Sequence, residues 1–280
     1  MNLKIALFIS SFAAAIDSSV AAPFVPSKNV ALSLRGGAGP LDVETTSKVF
    51  AGMTTVQGAL DYLSPKTVNK LYNVDFSDEI SSLLQKYTGG NQVGVAIMLY
   101  ASVFGDVAPL KAIGYGLVPS VLNGLSTLLD GTPNELGINV PMQYVHNGIV
   151  AFVAKSLIGG ADNAVTILKY CVAYFALASA QLRVAPASGL KSWGFPEGTD
   201  NQTFATQLIG QSGLALTAVM YALGVEGASA STAVGYAAVV YFASLAEFLL
   251  SGKFEAVGVD VQKCYPWLAI SAATIVTLLM

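Results

Sequence analysis

Apolar residues are gathered in eight runs along the chain, and polar stretches separate them. Most runs approach the roughly 20 residues that a helix needs to cross the hydrocarbon core of a bilayer. In lipid the backbone polar groups must be paired within the segment, so runs of this length predict helices. The runs cover residues 46–63, 90–105, 109–129, 143–159, 163–182, 209–225, 229–250 and 264–280. The pattern predicts an all-α integral membrane bundle of about eight transmembrane helices.

The same pattern occurs twice, at a spacing of 121 residues. The stretch from Tyr100-Ala101 to Gly114-Tyr115 returns without an insertion as Tyr221-Ala222 to Gly235-Tyr236. Further identities at this spacing join Lys48 to Lys169, Pro65 to Pro186, Gly89 to Gly210, Gly131 to Gly252 and Tyr144 to Tyr265. Chance agreement between two apolar sequences supplies such pairs poorly. The pattern predicts a duplication, with membrane repeats at 42–161 and 162–280.

The first run is the weakest of the eight. It contains Gln57 and Asp61, and by its apolarity alone it would not be counted as a membrane span. Its counterpart at 165–182 is plainly apolar, and the duplication therefore predicts that both cross the bilayer. Each repeat then has four crossings, so both copies enter the membrane in the same direction. Such parallel repeats are related by an axis along the membrane normal.

Composition agrees with a membrane protein. Apolar residues make up 54% of the 280 residues and charged residues 11%, whereas a soluble domain has about 25% charged residues. The mean hydropathy is +0.60. A net charge of −3, with scattered basic residues, argues against nucleic-acid binding. The expected partner is the lipid bilayer, with other membrane subunits as a further option; the basic residues do not determine the orientation.

A proline, a lysine and an aromatic ring follow the first helix of each repeat. Pro65 and Pro186 end the preceding helices. The cation and ring are Lys70 with Tyr72 in the first repeat, and Lys191 with Trp193 in the second. Lysine and amphipathic rings are typical of the headgroup region, so these four residues are predicted to be interfacial anchors.

The first of these loops also contains an amphipathic segment. Asp78 resembles a helix N-cap, the apolar residues from Ile80 to Tyr87 share one face, and Gly89 resembles a stop. The segment is therefore predicted to be a short helix on the membrane surface.

Ionisable groups within membrane spans are functional candidates by default. His146, Lys155 and Glu247 are such candidates, although each can instead serve packing or reach the interface. A second set of candidate ligands consists of four tyrosines whose hydroxyls would line a polar path if they do not simply pack: Tyr100, Tyr115, Tyr221 and Tyr236. His146 and Glu247 are also considered as ligands of a chlorophyll magnesium, but the paired charged residues of light-harvesting helices are not evident. The sequence predicts no metal site and identifies no cofactor.

The N-terminus has the features of a targeting presequence. Lys4, the apolar stretch from Leu7 to Ala15 and the small residues before position 23 predict a signal peptide at 1–22. The junction Ala21-Ala22-Pro23-Phe24 resembles the Ala-Phe-Pro motif of plastid proteins in diatoms and related algae with secondary plastids. This resemblance implies that Phe24 is the plastid address and that 23–41 is a transit-like segment. Pro23 departs from the motif, which usually has alanine there, and leaves the cleavage point open.

The sequence favours two function classes. An enzyme is a third, less favoured class, because no set of acid, base or metal groups for catalysis can be assembled from the sequence. The first is a non-enzymatic plastid membrane protein, of the thylakoid or the envelope, that binds or moves a small solute. The second is a structural or assembly subunit of a plastid membrane complex. A secretory-pathway protein of an endomembrane or the plasma membrane is the alternative to the plastid address. A central cavity lined by polar side chains favours the first class, whereas a tight apolar interior with an exposed apolar flank favours the second.

Overall fold

The computed structural model describes residues 42–195 and 198–279, and within them the chain is all-α. In chain order the helices are α1 (Val43–Leu63), α2 (Pro65–Tyr72), α3 (Glu79–Val103), α4 (Pro109–Leu129), α5 (Thr132–Glu135), α6 (Val140–Gly159), α7 (Ala164–Val184), α8 (Pro186–Ser192), α9 (Asp200–Met220), α10 (Ala230–Leu250), α11 (Lys253–Ala256) and α12 (Tyr265–Leu279). A π-helical segment, Tyr221–Glu226, follows α9, and a 3₁₀ turn, Val261–Cys264, precedes α12. The predicted signal peptide, the transit-like segment and Phe24 lie outside the described residues.

Each predicted apolar run falls on one of the long helices. Within the described residues, four helices are long and apolar enough to cross a membrane: α4, α7, α10, and α9 together with its π-helical extension. The protein is therefore helical with four candidate membrane spans. The other four long helices, α1, α3, α6 and α12, do not meet both criteria within the described residues.

The predicted surface helix that stops at Gly89 is wrong. Asp78 does cap the helix, because its side chain accepts a hydrogen bond from the Ser81 amide at 2.9 Å. The helix nevertheless continues through Gly89 to Val103 as α3. A Cβ on Gly89 would lie 2.6 Å from the Tyr62 nitrogen on α1. The glycine therefore allows two helix backbones to approach closely and does not end the helix.

The helices α3 and α9 pack against each other at the centre of the bundle. On one side α3 packs against α1 and α4, and α6 packs on α4. On the other side α9 packs against α7 and α10, and α12 packs on α10. Contacts of α6 with α7 and of α12 with α1 join the two sides.

The connections that follow α1, α7 and α10 meet at one end of the bundle. Asn201 donates to the Asp75 carbonyl oxygen at 2.7 Å, and the Asp260 amide donates to the Tyr72 carbonyl oxygen at 2.8 Å. Gln202 Nε2 donates to Asp78 Oδ1 at 3.0 Å. These three bonds hold segments that are distant in sequence at the same end.

The helix α7 presents an apolar face to the outside. Tyr170, Leu177 and Val184 recur every seven residues and are 76%, 75% and 82% exposed. Residues at this spacing lie on one side of a helix. An outward stripe of large apolar side chains is what a helix in contact with lipid requires.

Candidate functional site

Two cavities of similar size lie inside the bundle. The first, named here the Asp61 cavity, has a volume of about 110 Å³ and is lined by α1, α2, α3, α9, α10, α11 and α12. The second, the His146 cavity, has a volume of about 100 Å³ and is lined by α3, α4, α6, α7, α8 and α9. Each volume has room for several water molecules or a small solute.

The Asp61 cavity contains a buried carboxylate. Asp61 is only 5% exposed. Its Oδ2 accepts a hydrogen bond from Gln57 Nε2 at 3.0 Å, and its Oδ1 accepts one from Gln85 Nε2 at 2.9 Å. Among the described residues, no Lys, Arg or His forms an ion pair with Asp61. A buried carboxylate that is ionised is normally paired with a cation, whereas Asp61 is held by two neutral amide donors.

Hydrogen bonds around the cavity run toward that carboxylate. Trp267 Nε1 donates to the Tyr72 hydroxyl at 3.1 Å, and Tyr72 donates to Gln57 Oε1 at 2.9 Å. Burial raises the pKa of Tyr72, so the phenol remains protonated and can act as this donor. Gln57 in turn donates a hydrogen bond from its amide nitrogen to Asp61. The chain ends on Asp61 as an acceptor, which suits its ionised form.

Several other polar atoms in the Asp61 cavity have no partner within the described part of the chain. They are the amide oxygens of Gln85, Gln92 and Gln211 and the hydroxyl of Tyr241. The four residues are all more than 90% buried. An unsatisfied buried polar group costs about 1–3 kcal/mol. Gln85, Gln92 and Gln211 line the same cavity as Asp61, so a hydrogen-bond donor bound there would offer their amide oxygens a partner.

The His146 cavity differs from the Asp61 cavity, because several of its polar side chains are hydrogen-bonded to each other or to the backbone. His146 Nδ1 and the Tyr174 hydroxyl are hydrogen-bonded at 2.8 Å, and the Trp193 ring packs edge-on at 5.0 Å from His146. The amides of Asn123 and Asn147 donate to backbone carbonyls. None of the unpartnered buried side-chain atoms of the described residues belongs to this cavity.

Among the three predicted ionisable candidates, only His146 lines one of these two cavities. Glu247 forms ion pairs with Arg183 and Lys253. Lys155 is exposed on α6. The structure thus gives Glu247 nearby cationic partners and leaves Lys155 at the surface, while the ligand role predicted for each residue stays a prediction.

The predicted tyrosine path does not coincide with either cavity. Tyr115 and Tyr221 are 41% and 44% exposed. Tyr100 packs its ring at 5.4 Å from Phe104, and Tyr236 is half-buried. None of the four lines the Asp61 cavity or the His146 cavity.

The predicted anchors separate into two kinds. Lys70 and Lys191 are exposed, as a headgroup contact requires. Tyr72 and Trp193 instead line the Asp61 and His146 cavities, respectively. Their interfacial role stays a prediction, and the cavity contacts give each ring a second role.

Sequence reasoning missed Asp61 and its glutamine neighbours as site residues. Gln57 and Asp61 are four residues apart in the weakest run, and this spacing places them on one helix face. Gln85 and Gln92 are seven apart and share a face of α3 in the same way. The signal was therefore present as polar positions that lowered the apolarity of predicted spans.

Known proteins provide no guide to these cavities. The chain matches no protein-family model, and comparisons with curated proteins and with solved structures found no match. The functional assignment depends on the geometry of the two cavities.

Proposed function

We propose that the chain is a multi-pass membrane protein with eight spans, built from two parallel four-helix repeats. The helix bounds support this proposal. Both ends of α7 lie 121 residues after those of α1, and the same holds for α10 relative to α4 and for α11 relative to α5. Helices of equal length at a constant offset are what a duplicated fold would have.

Helix packing supports the duplication as well. The α1–α3 contact corresponds to the α7–α9 contact, and the α12–α1 contact corresponds to the α6–α7 contact. A Cβ on Gly210 would lie 2.5 Å from the Arg183 nitrogen, just as one on Gly89 would lie 2.6 Å from the Tyr62 nitrogen. These are the same two positions at the constant offset. A two-fold axis through the α3–α9 contact would produce this correspondence.

The two cavities occupy corresponding places in the proposed repeats. Residues that line them pair at the same offset as follows: Gln57 with Ala178, Asp61 with Leu182, Tyr72 with Trp193, Val74 with Phe195, Thr88 with Ile209, Tyr87 with Leu208, Ser120 with Tyr241, Gln143 with Cys264 and His146 with Trp267. Each cavity draws residues from both halves of the chain. Solute sites of transporters with repeats commonly lie at such an interface.

The function that this geometry favours is binding of a small polar solute in the Asp61 cavity, without catalysis. The observation that supports this function is the buried Asp61 carboxylate, which has no ion-pair partner among the described residues and lines the same cavity as three glutamines whose amide oxygens are unpartnered there. Inside a membrane such groups are expensive and mark solute or ion sites. A cavity that holds a buried carboxylate and glutamine side chains among apolar walls, and that both halves line, favours a solute-binding protein or carrier over a purely structural subunit.

Purification from native membranes tests this function. We expect the wild-type protein to retain a small molecule, detectable by mass spectrometry after denaturation, and the Asp61→Asn protein to retain much less. The replacement keeps the size of the side chain and removes its charge. A wild-type protein without a retained molecule, or equal retention by both proteins, would contradict the proposal.

A structural subunit of a membrane complex is the second candidate. The exposed stripe of Tyr170, Leu177 and Val184 on α7 supports it, because a partner subunit in place of lipid would cover such a flank. In that case a stoichiometric protein partner accompanies the chain in mild detergent. Replacing Leu177 with serine should then release the partner.

The membrane that we propose is a plastid membrane, in the thylakoid or the envelope. The junction at Phe24 and the transit-like segment at 23–41 support this location. The alternative is an endomembrane or the plasma membrane, reached through the signal peptide alone.

A further inference from the structure

We infer that the Asp61 cavity binds a small primary ammonium ion, such as a short alkylammonium. This inference rests on the proposed solute-binding function and specifies the ligand class. Three properties of the cavity lead to it: its charge, its excess of acceptors and its aromatic walls.

An ionised Asp61 side chain in the cavity favours a cationic ligand. Asp61 is buried and accepts hydrogen bonds from two glutamine amides, which stabilise an ionised carboxylate without cancelling its charge. Among the described residues the ion pairs all lie elsewhere in the chain. A ligand that brings one positive charge would compensate the carboxylate where the chain itself does not.

The amide oxygens without a partner favour a ligand with several hydrogen-bond donors. Gln85, Gln92 and Gln211 line the cavity, and each has a buried amide oxygen without a partner among the described residues; these oxygens only accept hydrogen bonds. A primary ammonium carries three N–H donors and no acceptor. Such a group can donate to Asp61 and to neighbouring amide oxygens at once. A quaternary ammonium has no N–H and would leave the oxygens unpaired.

The remaining walls fit a short apolar tail. Phe204, Phe254, Tyr241 and Trp267 line the cavity, with the Tyr241 and Trp267 ring centroids 6.0 Å apart. Aromatic faces attract cations and also contact alkyl groups. Among the described residues, no group of three or more His, Cys, Asp or Glu side chains could hold a metal ion. The volume of about 110 Å³ restricts the tail to a few carbon atoms.

The His146 cavity provides an internal comparison. At the positions that correspond to Gln57 and Asp61 it has Ala178 and Leu182. Its Asn123, His146, Asn147 and Tyr174 side chains are hydrogen-bonded, and none of the unpartnered buried side-chain atoms of the described residues belongs to it. The acceptor set is thus confined to the Asp61 cavity, and ammonium binding should be confined to it as well.

The two tryptophans of the chain allow each cavity to be monitored separately, because Trp267 lines the Asp61 cavity and Trp193 lines the His146 cavity. In a Trp193→Phe background, the fluorescence of the full chain in detergent reports on Trp267. We expect ethylammonium chloride to change this fluorescence with saturation. Ethanol, which is similar in size but neutral, and sodium chloride should leave it unchanged.

Two variants of the cavity test the contacts. Asp61→Asn should weaken ethylammonium binding more than about tenfold, because a charge-assisted hydrogen bond is lost. Asp162→Asn, which removes an exposed carboxylate, should not change it. Gln211→Met replaces an unpartnered oxygen with an apolar group of similar size, and should weaken binding several-fold while the ligand-free protein melts no earlier.

Weaker binding by a Gln211→Met protein that melts no earlier than wild type would show a lost ligand contact and not a damaged fold. This variant therefore decides the test if Asp61→Asn does not fold. Equal affinity of Asp61→Asn and wild type, or an equal response to ethanol, would overturn the inference. If ethylammonium does not bind but the purified protein retains a solute that Asp61→Asn loses, the ligand class is wrong and the solute-binding function stands.

Discussion

Asn91 on α3 donates a hydrogen bond from Nδ2 to Oγ of Ser212 on α9 over 3.2 Å, and the two residues are 121 positions apart. That spacing is the one that relates the two halves of the sequence pattern. Ser120 on α4 adds a third helix, because its hydroxyl donates to Asn91 Oδ1 at 3.3 Å. A polar joint of three helices therefore lies at the contact between the two central helices, where a two-fold axis would pass.

The hydrogen bond between Asn91 and Ser212 should contribute a measurable interaction free energy to the stability of the protein. In a double-mutant cycle with Asn91→Ala and Ser212→Ala, we expect an interaction free energy of about 0.5–1.5 kcal/mol in the unfolding of the detergent-solubilised protein. Asn91→Ala combined with Ser156→Ala is the control, since Ser156 donates within its own helix to the Phe152 carbonyl. Additive effects for Asn91 and Ser212 would show that the contact does not stabilise the centre.

Glycines at helix crossings should be intolerant of even one methyl group. A Cβ at Gly89 or Gly210 would lie within 2.7 Å of two backbone atoms of the neighbouring helix. We expect Gly89→Ala and Gly210→Ala each to lower the free energy of unfolding by about 1–3 kcal/mol through overpacking. Gly148→Ala meets open space within its helix and should raise stability by up to about 1 kcal/mol. A neutral Gly89→Ala would contradict the close contact.

The helices were largely predictable from the sequence, because the signals that form and end them are local. These signals are the apolar runs, Pro65, Pro186 and the cap at Asp78, and each affects only positions a few residues away. The role of Gly89 was not predictable in this way. In the sequence, a glycine that ends a helix looks the same as one that lets another helix approach. The neighbour that distinguishes the two roles here is Tyr62 on α1, which belongs to a different apolar run. Tertiary contact thus overrode the local signal.

The Asp61 cavity was predictable only in part. Gln57 and Asp61 marked a polar face on α1, but Gln85, Gln211 and Trp267 come from three other helices. Their convergence depends on packing that no local pattern records. The anchors show the same limit, since Tyr72 and Trp193 have the sequence features of interfacial rings and yet line cavities.

The ion pairs of Glu247 should contribute unequally to stability. Its partner Arg183 has a side chain only 11% exposed and lies over the Phe248 ring, whereas that of Lys253 is 35% exposed. Glu247→Gln leaves the buried guanidinium uncompensated, so we expect a loss of about 1.5–3 kcal/mol in the free energy of unfolding. Lys253→Gln should cost less than about 1 kcal/mol. Equal losses would contradict this, and lost solute binding with unchanged stability would support the ligand role of Glu247.

The plastid address depends on Phe24. Residues 1–41 fused to a fluorescent protein should deliver it to the plastid in a diatom, and Phe24→Ala should retain it in the endoplasmic reticulum. Lys28→Ala is a control substitution in the same segment, and it should leave delivery unchanged. Correct delivery of the Phe24→Ala fusion would exclude the plastid interpretation. Glycosylation of Asn201, which begins an Asn-Gln-Thr sequon, would instead place the N-terminal end of α9 in the secretory lumen.

Parallel repeats with eight spans make a definite prediction for sidedness. Asn201, in the first turn of α9, donates a hydrogen bond to the Asp75 carbonyl oxygen, so the two residues must lie on the same side of the membrane. Single cysteines at Ser77 and Asp200, both exposed, should react with an impermeant thiol reagent from one side. Cysteines at Glu44 and Asp162, also exposed, should react from the other side.

The background for this experiment carries Cys171→Ala and Cys264→Ala, which remove both native thiols. Each cysteine reports on a separate part of the topology. Labelling of Glu44 from the same side as Ser77 would show that α1, with its buried Asp61, does not cross the bilayer. Labelling of Ser77 and Asp200 from opposite sides would exclude the parallel arrangement, because an even number of crossings must separate them.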